Sequence, residues 1–283
     1  MRRRSLTLRS EFSQQSGDRM KKVRLDQLVF DRGLTESRER AKTTIMSGIV
    51  FVNGQRVDKP GTQVAPDASV EIHGETLPFV SRGGYKLDKA LKVFSVDPAG
   101  KICIDCGAST GGFTDVLLQH GAARVYAVDV GYGQLAWKLR TDERVVNLER
   151  MNLRYITREE IPEALDLAVM DVSFISIRLV LPAVQKLLKN DADLICLIKP
   201  QFEAGREAVG KKGVVRDGAV HAEVIRQILD FAASQSLQVV GLDYSPIKGP
   251  EGNIEYICHM KNREGPAVPV DVDAVVRASH ETL

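Results

Sequence analysis

The sequence predicts an α/β protein in two unequal parts, with a small α+β domain ahead of a larger domain built on a mostly parallel sheet. A length of 283 residues suits one large domain or two of unequal size. Apolar runs of strand length alternate with helical patterns from about residue 101 to 258, which is typical of a parallel sheet with helices on both faces. A glycine-rich turn joins the first of these strands to its helix, so we expect a ligand beyond the carboxyl ends of the strands.

The charge of the chain is unevenly distributed. Residues 1–60 hold 14 Lys and Arg against 7 Asp and Glu, whereas the whole chain has a net charge of +2, so the remainder is acidic. A basic first fifth favours a domain that faces nucleic acid, although an ordinary solvated basic face has the same composition. We find no apolar run of 18 residues and no secretory signal pattern, and therefore expect no membrane span and a cytoplasmic location. No feature of the sequence sets an oligomeric state.

Residues 1–20 are polar and basic without periodicity, and we predict a disordered extension there. The next segment, 21–80, is predicted to be a small domain with a linker at about 74–80. Its first helix is closed by Gly33, and Thr35 or Ser37 caps a second helix. The dipeptide Asn53-Gly54 lies between two apolar runs and predicts a tight hairpin.

Four motifs of this small domain point to a known module. They are Arg24-Leu25-Asp26, Ser37-Arg38-x-x-Ala41, Gly48-x-Val50-x-Val52-Asn53-Gly54 and Val57-x-Lys59-Pro60. The pattern resembles the alpha-L RNA-binding motif of the ribosomal protein S-four type. That resemblance implies binding to structured RNA through phosphate contacts, which place a protein without reading a sequence. The expected RNA-binding residues are Arg24, Arg38, Arg40, Lys42, Asn53, Lys59 and Arg82. A helix-hairpin domain used for protein contact is the alternative.

The stretch from Cys103 to Asp129 predicts a cofactor site. Its loop reads Gly107-Ala-Ser-Thr-Gly111-Gly112, which departs from the dinucleotide order G-x-G-x-x-G. Asp105 at the mouth of the loop would repel a pyrophosphate but attract a cation. S-adenosylmethionine carries an ammonium, a sulfonium and a ribose, so it suits both acids; another nucleotide, or a glycine loop without a ligand, is the alternative. The expected cofactor-binding residues are Asp105, Gly107, Ser109, Gly111, Phe113, Asp129 and Asn152.

Four charged residues are expected to meet at the carboxyl edge of the sheet: Lys86, Asp171, Lys199 and Glu255. Lys86 opens a helix, two others end strands, and Glu255 joins them if the last strand runs antiparallel beside the fifth. Charged groups at apolar strand ends are unfavourable unless they are paired, so a purely structural salt-bridge network is the alternative. Our hypothesis is that Lys199 takes the proton of a ribose 2′-OH or holds its oxygen, and Lys86 assists. A second lysine and partial desolvation would lower the lysine pKa, while the acids orient the amines and limit that drop.

No metal is expected. Cys103 and Cys106 form a C-x-x-C, but a zinc site needs a second closely spaced pair. Small buried thiols are the better interpretation of the cysteines.

The residues around the four charged positions also resemble a known family. They stand in Gly84-Tyr85-Lys86-Leu87, Asp171-Val172-Ser173-Phe174, Ile198-Lys199-Pro200-Gln201-Phe202-Glu203 and Asn253-Ile254-Glu255-Tyr256. These motifs resemble the FtsJ/RrmJ-type ribose methyltransferases and their Lys-Asp-Lys-Glu tetrad. Together with the small domain, residues 21–262 resemble the TlyA family, some members of which are labelled haemolysins.

The resemblance implies a Rossmann-like S-adenosylmethionine-dependent methyltransferase over residues 81–262, with a mostly parallel seven-stranded sheet whose last strand is antiparallel. Residues 263–283 are then a C-terminal tail. The implied activity is 2′-O-methylation of cytidines in ribosomal RNA, with ribosomal subunits as partners. Base methylation is a weaker candidate, because Asp171-Val-Ser-Phe lacks the Pro-Pro-aromatic of exocyclic-amine enzymes. A non-catalytic ribosome assembly factor and a cytolysin are further alternatives.

Overall fold

The computed structural model describes residues 21–73, 78–210 and 212–283. The chain divides between Gly74 and Glu75 into two compact units. The extension predicted at 1–20 lies outside the described residues, as does the first half of the linker predicted at 74–80.

The N-terminal unit packs two helices against short antiparallel strands. Its elements are β1 Val23–Arg24, α1 Leu25–Asp31, α2 Arg38–Met46, β2 Val50–Val52, β3 Gln55–Arg56, β4 Gln63–Val64 and β5 Val70–Ile72. Strand β2 pairs with both β3 and β5, and β1 pairs with β4. The Ser37 hydroxyl caps α2 by accepting a hydrogen bond from the Arg40 amide at 3.1 Å, as predicted. The hairpin turn places Asn53 and Gly54 in the left-handed region, at φ 50° and 76°.

The second unit has a three-layer α/β architecture. Its elements are α3 Gly84–Phe94, β6 Ile102–Cys106, α4 Gly112–Gln119, β7 Arg124–Asp129, α5 Trp137–Arg140, β8 Val145–Glu149, β9 Leu165–Met170, α6 Leu181–Gln185, β10 Leu188–Ile198, α7 Pro200–Glu203, α8 Gly218–Ser234, β11 Gln238–Tyr244, β12 Tyr256–Lys261 and α9 Val272–Thr282. Short 3₁₀ turns lie between several of them. The apolar cores cover both faces of the sheet.

The strands of the second unit form one sheet within the described residues, in the order β11-β12-β10-β9-β6-β7-β8. Strands β10, β9, β6, β7 and β8 are parallel, and β12 is inserted antiparallel between β10 and β11. The predicted seven-stranded, mostly parallel sheet with its antiparallel strand is therefore confirmed. The chain reverses its direction of winding between β6 and β9, and open α/β sheets bind ligands at such a switch point.

Two segments differ from the sequence expectation. The sequence from Ile177 to Leu188 predicts a single helix, but in the structure the helix α6 ends at Gln185 and β10 begins at Leu188. The C-terminal tail predicted at 263–283 contains the helix α9, whose Val276 is buried against the core and whose first turn is capped by Asp271. Its weak apolar pattern is sufficient because one face of the helix rests on α8 and β11. No helix among the described residues is long and apolar enough to span a bilayer.

Candidate active site

The turn between β6 and α4 is shaped by residues in the left-handed region. Gly107, Ser109 and Gly111 have φ of 87°, 48° and 94°. A Cβ on Gly107 would lie 2.8 Å from the backbone oxygen of Asp171, and one on Gly111 would lie 2.2 Å from the Leu139 side chain. These glycines are therefore required by the turn and by its packing, since a side chain would displace the end of β9.

Asp105 is a buried acid with one unpaired oxygen. Its Oδ2 accepts hydrogen bonds from the Thr114 amide at 2.9 Å and the Thr114 hydroxyl at 2.7 Å. Its Oδ1 has no hydrogen-bond partner among the described residues. Burial raises the pKa of Asp105 to about 7, and the bonds from Thr114 offset only part of that effect. An unpaired carboxylate oxygen of this kind suits a cationic ligand.

Two cavities meet at the switch point of the sheet. The larger, of about 410 Å³, is lined by Asp129, Gln134, Asn152 and Phe174 among others. The smaller, of about 200 Å³, is lined among others by Lys86, Asp105, Phe113 and Lys199. They are continuous, because both include Gly107, Ser109, Asp171 and Ser173.

The predicted cofactor residues are distributed over both cavities, except Gly111, which packs beneath the turn. Asp129 accepts hydrogen bonds from the Gly131 amide at 2.7 Å and from the Ser109 amide at 2.8 Å. Asn152 caps a short 3₁₀ turn through the Arg154 amide at 3.1 Å. An acid with pre-oriented oxygens in one cavity and an unpaired buried acid in the other fit the ribose and the ammonium of S-adenosylmethionine.

The four predicted catalytic residues are brought into one chain of contacts. Lys86 Nζ lies 2.6 Å from Glu255 Oε2 and 3.3 Å from Asp171 Oδ2. Lys199 Nζ lies 2.5 Å from Asp171 Oδ1. Lys86, Lys199 and Glu255 are buried, and the antiparallel β12 brings Glu255 to the edge where β9 and β10 end. The convergence expected from the strand order is therefore present.

The pKa of Lys86 runs against the sequence expectation. Burial alone would lower it, but the carboxylates of Asp171 and Glu255 outweigh burial and hold the pKa of Lys86 above its ordinary value. Burial would likewise raise the pKa of Asp171, but the two lysines keep it below its usual range. Lys86 is therefore an ammonium held between two carboxylates, and at this lysine the acids more than offset the drop in pKa that desolvation would cause.

Several residues at the site were not singled out from the sequence. Lys199 Nζ donates to the Ser173 hydroxyl at 2.9 Å. Phe174 is 90% exposed with φ 64°, and its ring lies 5.2 Å from that of Phe202. The buried Glu203 holds the same loop, accepting from the Ile177 amide at 2.7 Å. All of these lie inside or beside the motifs quoted above. Their nearness in sequence to Asp171 and Lys199 could have identified them as site residues.

The predicted RNA-binding arginines of the N-terminal unit are anchored by a buried acid. Asp26 is fully buried and lies 2.9 Å from Arg24 Nε and 3.2 Å from Arg38 Nη2, while 47% and 43% of those side chains remain exposed. Both guanidinium groups are thereby held in fixed orientations at the surface. Fixed, half-exposed guanidinium groups are well suited to contact phosphates.

The other predicted RNA-binding residues differ in how they are engaged. Lys42 pairs with Glu39 at 2.6 Å, whereas the Asn53 side chain accepts from the Ser69 amide at 2.9 Å and so supports the hairpin. Arg40 is half-buried, and Lys59 and Arg82 are exposed. Arg56 was not predicted, although its guanidinium lies directly over Gly48 beside the hairpin. Among the predicted RNA-binding residues, Asn53 therefore has a structural role in the hairpin.

No group of three or more His, Cys, Asp or Glu side chains within the described ranges is arranged to hold a metal ion. The four cysteines are buried and unpaired by disulfides. Burial raises the pKa of Cys103 to about 12.

Fold and site together are those of a methyltransferase, and comparisons with known proteins agree. Residues 79–262 match the family described as FtsJ-like methyltransferase, and residues 23–70 match the S4 domain. The chain therefore belongs to the FtsJ-like methyltransferases and, within them, to the TlyA family, as the sequence motifs indicated.

Relatives match almost the whole chain. It is 44% identical over 264 residues to "16S/23S rRNA (cytidine-2'-O)-methyltransferase TlyA" of Mycobacterium tuberculosis, covering 92% of this chain and 98% of the relative. It is 52% identical over 269 residues to "Putative rRNA methyltransferase YqxC" of Bacillus subtilis, covering 93% and 96%. A solved structure, "Putative hemolysin from Streptococcus thermophilus", is 46% identical with a TM-score of 0.75, covering 93% of this chain and 97% of that one.

Proposed function

We propose that this protein transfers a methyl group from S-adenosylmethionine to the 2′-OH of a cytidine in ribosomal RNA, with Lys86, Asp171, Lys199 and Glu255 as its catalytic tetrad. The observation that carries the proposal is the unbroken chain of contacts from Glu255 through Lys86 and Asp171 to Lys199, each between 2.5 and 3.3 Å. The chain of contacts opens into the cavity that also holds Asp105. The protein would act where ribosomes are, in the cytoplasm.

The cofactor is held by acids at two positions. Asp129 takes the ribose hydroxyls in the larger cavity, and the unpaired Oδ1 of Asp105 takes the ammonium in the smaller one. Asn152 lies in the larger cavity, where it meets the adenine edge. When bound, S-adenosylmethionine supplies an electrophilic methyl group on a sulfonium, which needs no further activation of the leaving group.

The two lysines have different tasks. Lys86 is enclosed by two carboxylates and stays an ammonium, so it fixes the position and the charge of Asp171. Lys199 contacts one carboxylate and the Ser173 hydroxyl, and lines the cavity. It acts as a neutral amine, after giving a proton to solvent: Nζ holds the 2′-oxygen and receives the 2′ proton as the O–H bond breaks. The formal charges of the four side chains sum to zero, so a proton arriving on a neutral Lys199 restores a fully paired cluster.

The ribosomal substrate is supported by the S4 domain and by the names of the relatives. The exposed guanidinium groups anchored on Asp26 offer phosphate contacts. Next to the cavity, the exposed Phe174 presents an aromatic face on which an unstacked base can rest.

The test is transfer of a radiolabelled methyl group to separate unmodified ribosomal subunits, followed by mapping of the modified nucleotide. We expect a methylated cytidine ribose, and Lys199→Ala to lower kcat by about 10²–10⁴-fold, the usual contribution of a positioned acid–base group. The matched control is Lys189→Ala, which removes a lysine paired with Asp166 at 2.6 Å at the opposite end of β10.

Each rival function has its own outcome in this assay. A label on a base would replace ribose methylation, and cofactor binding without transfer would support an assembly factor. Near-wild-type turnover of a folded Lys199→Ala protein would remove Lys199 from the mechanism.

A further inference from the structure

The connection between β11 and β12, residues 245–255, is built around the carboxylate of Glu255. The Glu255 side chain is fully buried, and a Cβ on Gly249 would lie only 2.2 Å from its Oε1. The Glu255 backbone oxygen accepts a hydrogen bond from the Ser245 amide at 2.8 Å. Oε1 has no hydrogen-bond partner in the described part of the chain, whereas Oε2 contacts Lys86. The backbone at Gly249 therefore acts as a wall behind the carboxylate, and this wall sets how far Oε2 reaches.

The Asn253 side chain helps to hold that wall in place. Asn253 is 4% exposed and lies two residues before Glu255. Its backbone oxygen accepts from the Gly249 amide at 2.9 Å, which closes the turn. Its side-chain Oδ1 accepts from the Val215 amide at 3.1 Å, and its Nδ2 donates to the Gly213 oxygen at 3.0 Å. Asn253 thus joins the turn behind Glu255 to the loop that precedes α8.

The anchor at the other end of these bonds is itself fixed. Val214 and Val215 are buried, and the Val215 oxygen accepts a hydrogen bond from the ring of the buried His221 in α8 at 3.0 Å. Hydrogen bonds of Asn253 therefore connect the turn at Gly249 to a loop that is held by the helix α8. A buried amide that satisfies one donor and one acceptor at once is a two-point clamp with a defined orientation.

We infer that Asn253 is a positioning residue for Glu255: its amide fixes the Gly249 turn, and the turn fixes the carboxylate that contacts Lys86. The inference rests on the proposed tetrad. It adds a residue that touches neither the reacting atoms nor the cofactor cavities. Misplacement of a catalytic group by about 1 Å can lower a rate by about 10²-fold, so the clamp has a measurable consequence.

The consequence includes the pH profile. Lys86 faces Asp171 at the end of β9 and Glu255 at the start of β12, and shares its cavity with Asp105 and Lys199. Asp171 and Glu255 both raise its pKa against the effect of burial. If Glu255 withdraws, the pKa of Lys86 falls, and the alkaline limb of the kcat profile moves to lower pH.

The experiment compares Asn253→Ala with Asn262→Ala in the full-length protein. Asn262 follows β12 at its other end and also bridges two segments, donating to the Lys189 oxygen at 2.9 Å and accepting from Gln185 at 3.2 Å. We expect Asn253→Ala to lower kcat by about 10–100-fold with little change in KM, and to shift the alkaline limb. Asn262→Ala should lower the thermal unfolding midpoint as much as Asn253→Ala does, but should change neither kcat nor the alkaline limb. Asn253→Asp, which keeps the bond from Val215, should recover part of kcat.

A second pair of variants applies the same displacement by steric contact. Gly249→Ala pushes directly on Glu255, and Gly205→Ala is its control, because a Cβ on Gly205 meets no atom within 4 Å. Equal effects of Asn253→Ala and Asn262→Ala, or an inert Gly249→Ala, would overturn the inference. Glu255→Gln and Lys199→Ala in the same assay separate the two levels. If these retain turnover, the tetrad itself fails; if they lose it while Asn253→Ala matches its control, only the clamp fails.

Discussion

The tetrad and the basic surface of the N-terminal unit use the same ion-pair chemistry in opposite surroundings. The Lys86 and Lys199 side chains are 8% and 6% exposed, whereas those of Arg24 and Arg38 are 47% and 43% exposed. In both places an acid is shared by two basic groups, Asp171 in the first and Asp26 in the second. The two clusters therefore differ in the burial of their cations. Water screens the charges of the N-terminal cluster but not those of the tetrad.

The difference sets what each cluster can do. A buried pair has a large interaction energy, but the loss of one partner leaves an uncompensated charge. An exposed pair contributes little to stability, and its cations stay available to a phosphate. The charges of the proposed tetrad are thus shielded from water, whereas those of the proposed RNA-binding arginines are exposed to it.

The largest expected effect comes from breaking the buried cluster. Lys86→Met removes the ammonium from Glu255, which is fully buried and whose Oε1 is already unpaired. We expect the free energy of unfolding to fall by about 3–5 kcal/mol in urea denaturation. The double variant Lys86→Met/Glu255→Gln should recover most of that stability, because Glu255 no longer leaves an unpaired buried charge and Asp171 keeps its pair with Lys199, but it should recover none of the methyl transfer. If the free energy of unfolding of Lys86→Met falls by less than about 1 kcal/mol, the buried cluster contributes no more to stability than an exposed ion pair does.

An intermediate effect is expected at Asp105, which is buried like the tetrad but has no cationic partner among the residues that the structure describes. Its pKa of about 7 lies above the ordinary value, so the carboxylate is ionised above pH 7 and neutral below it. A cationic ligand binds the ionised form, so this group makes cofactor affinity about 10-fold weaker at pH 6 than at pH 8, by calorimetry.

The variant Thr114→Val isolates this contribution, since the ionisation of the ligand is common to both proteins. It removes the hydroxyl bond that lowers the pKa of Asp105, so the pH at which cofactor affinity is half-maximal should rise. Thr141→Val, which loses a hydroxyl bond to the Trp137 oxygen at 3.2 Å, should leave that pH unchanged. Superimposable pH curves for Thr114→Val and the wild type would contradict the role of Asp105.

The sheet and the buried charges were predictable for one physical reason. Strand ends of a parallel sheet share an edge, so Asp171 and Lys199 at the ends of apolar runs had to be neighbours, and an antiparallel β12 brought Glu255 to them. Unfavourable burial of charge made their pairing a strong expectation.

The N-terminal arginines and α9 were harder to predict. That Asp26 is buried beneath Arg24 and Arg38 depends on the packing of α1 and α2, which no local pattern encodes. The helix α9 has a narrow apolar face that gains its stability from tertiary contact. The start of β10 at Leu188 is hard to distinguish from helix by sequence, because a short apolar run fits both periods.

The smallest effect is expected where the exposed surface carries its own counter-charge. Lys42 is 37% exposed and pairs with Glu39, 64% exposed, at 2.6 Å one helical turn away. Glu39→Ala should change the free energy of unfolding by no more than about 0.5 kcal/mol. It frees Lys42 for phosphate, so RNA affinity should rise about 2–3-fold at low salt and the salt dependence should steepen. Glu36→Ala changes the net charge equally from an exposed position just before α2. If it raises affinity as much, the effect is one of overall charge, and the ion pair does not withhold Lys42 from RNA.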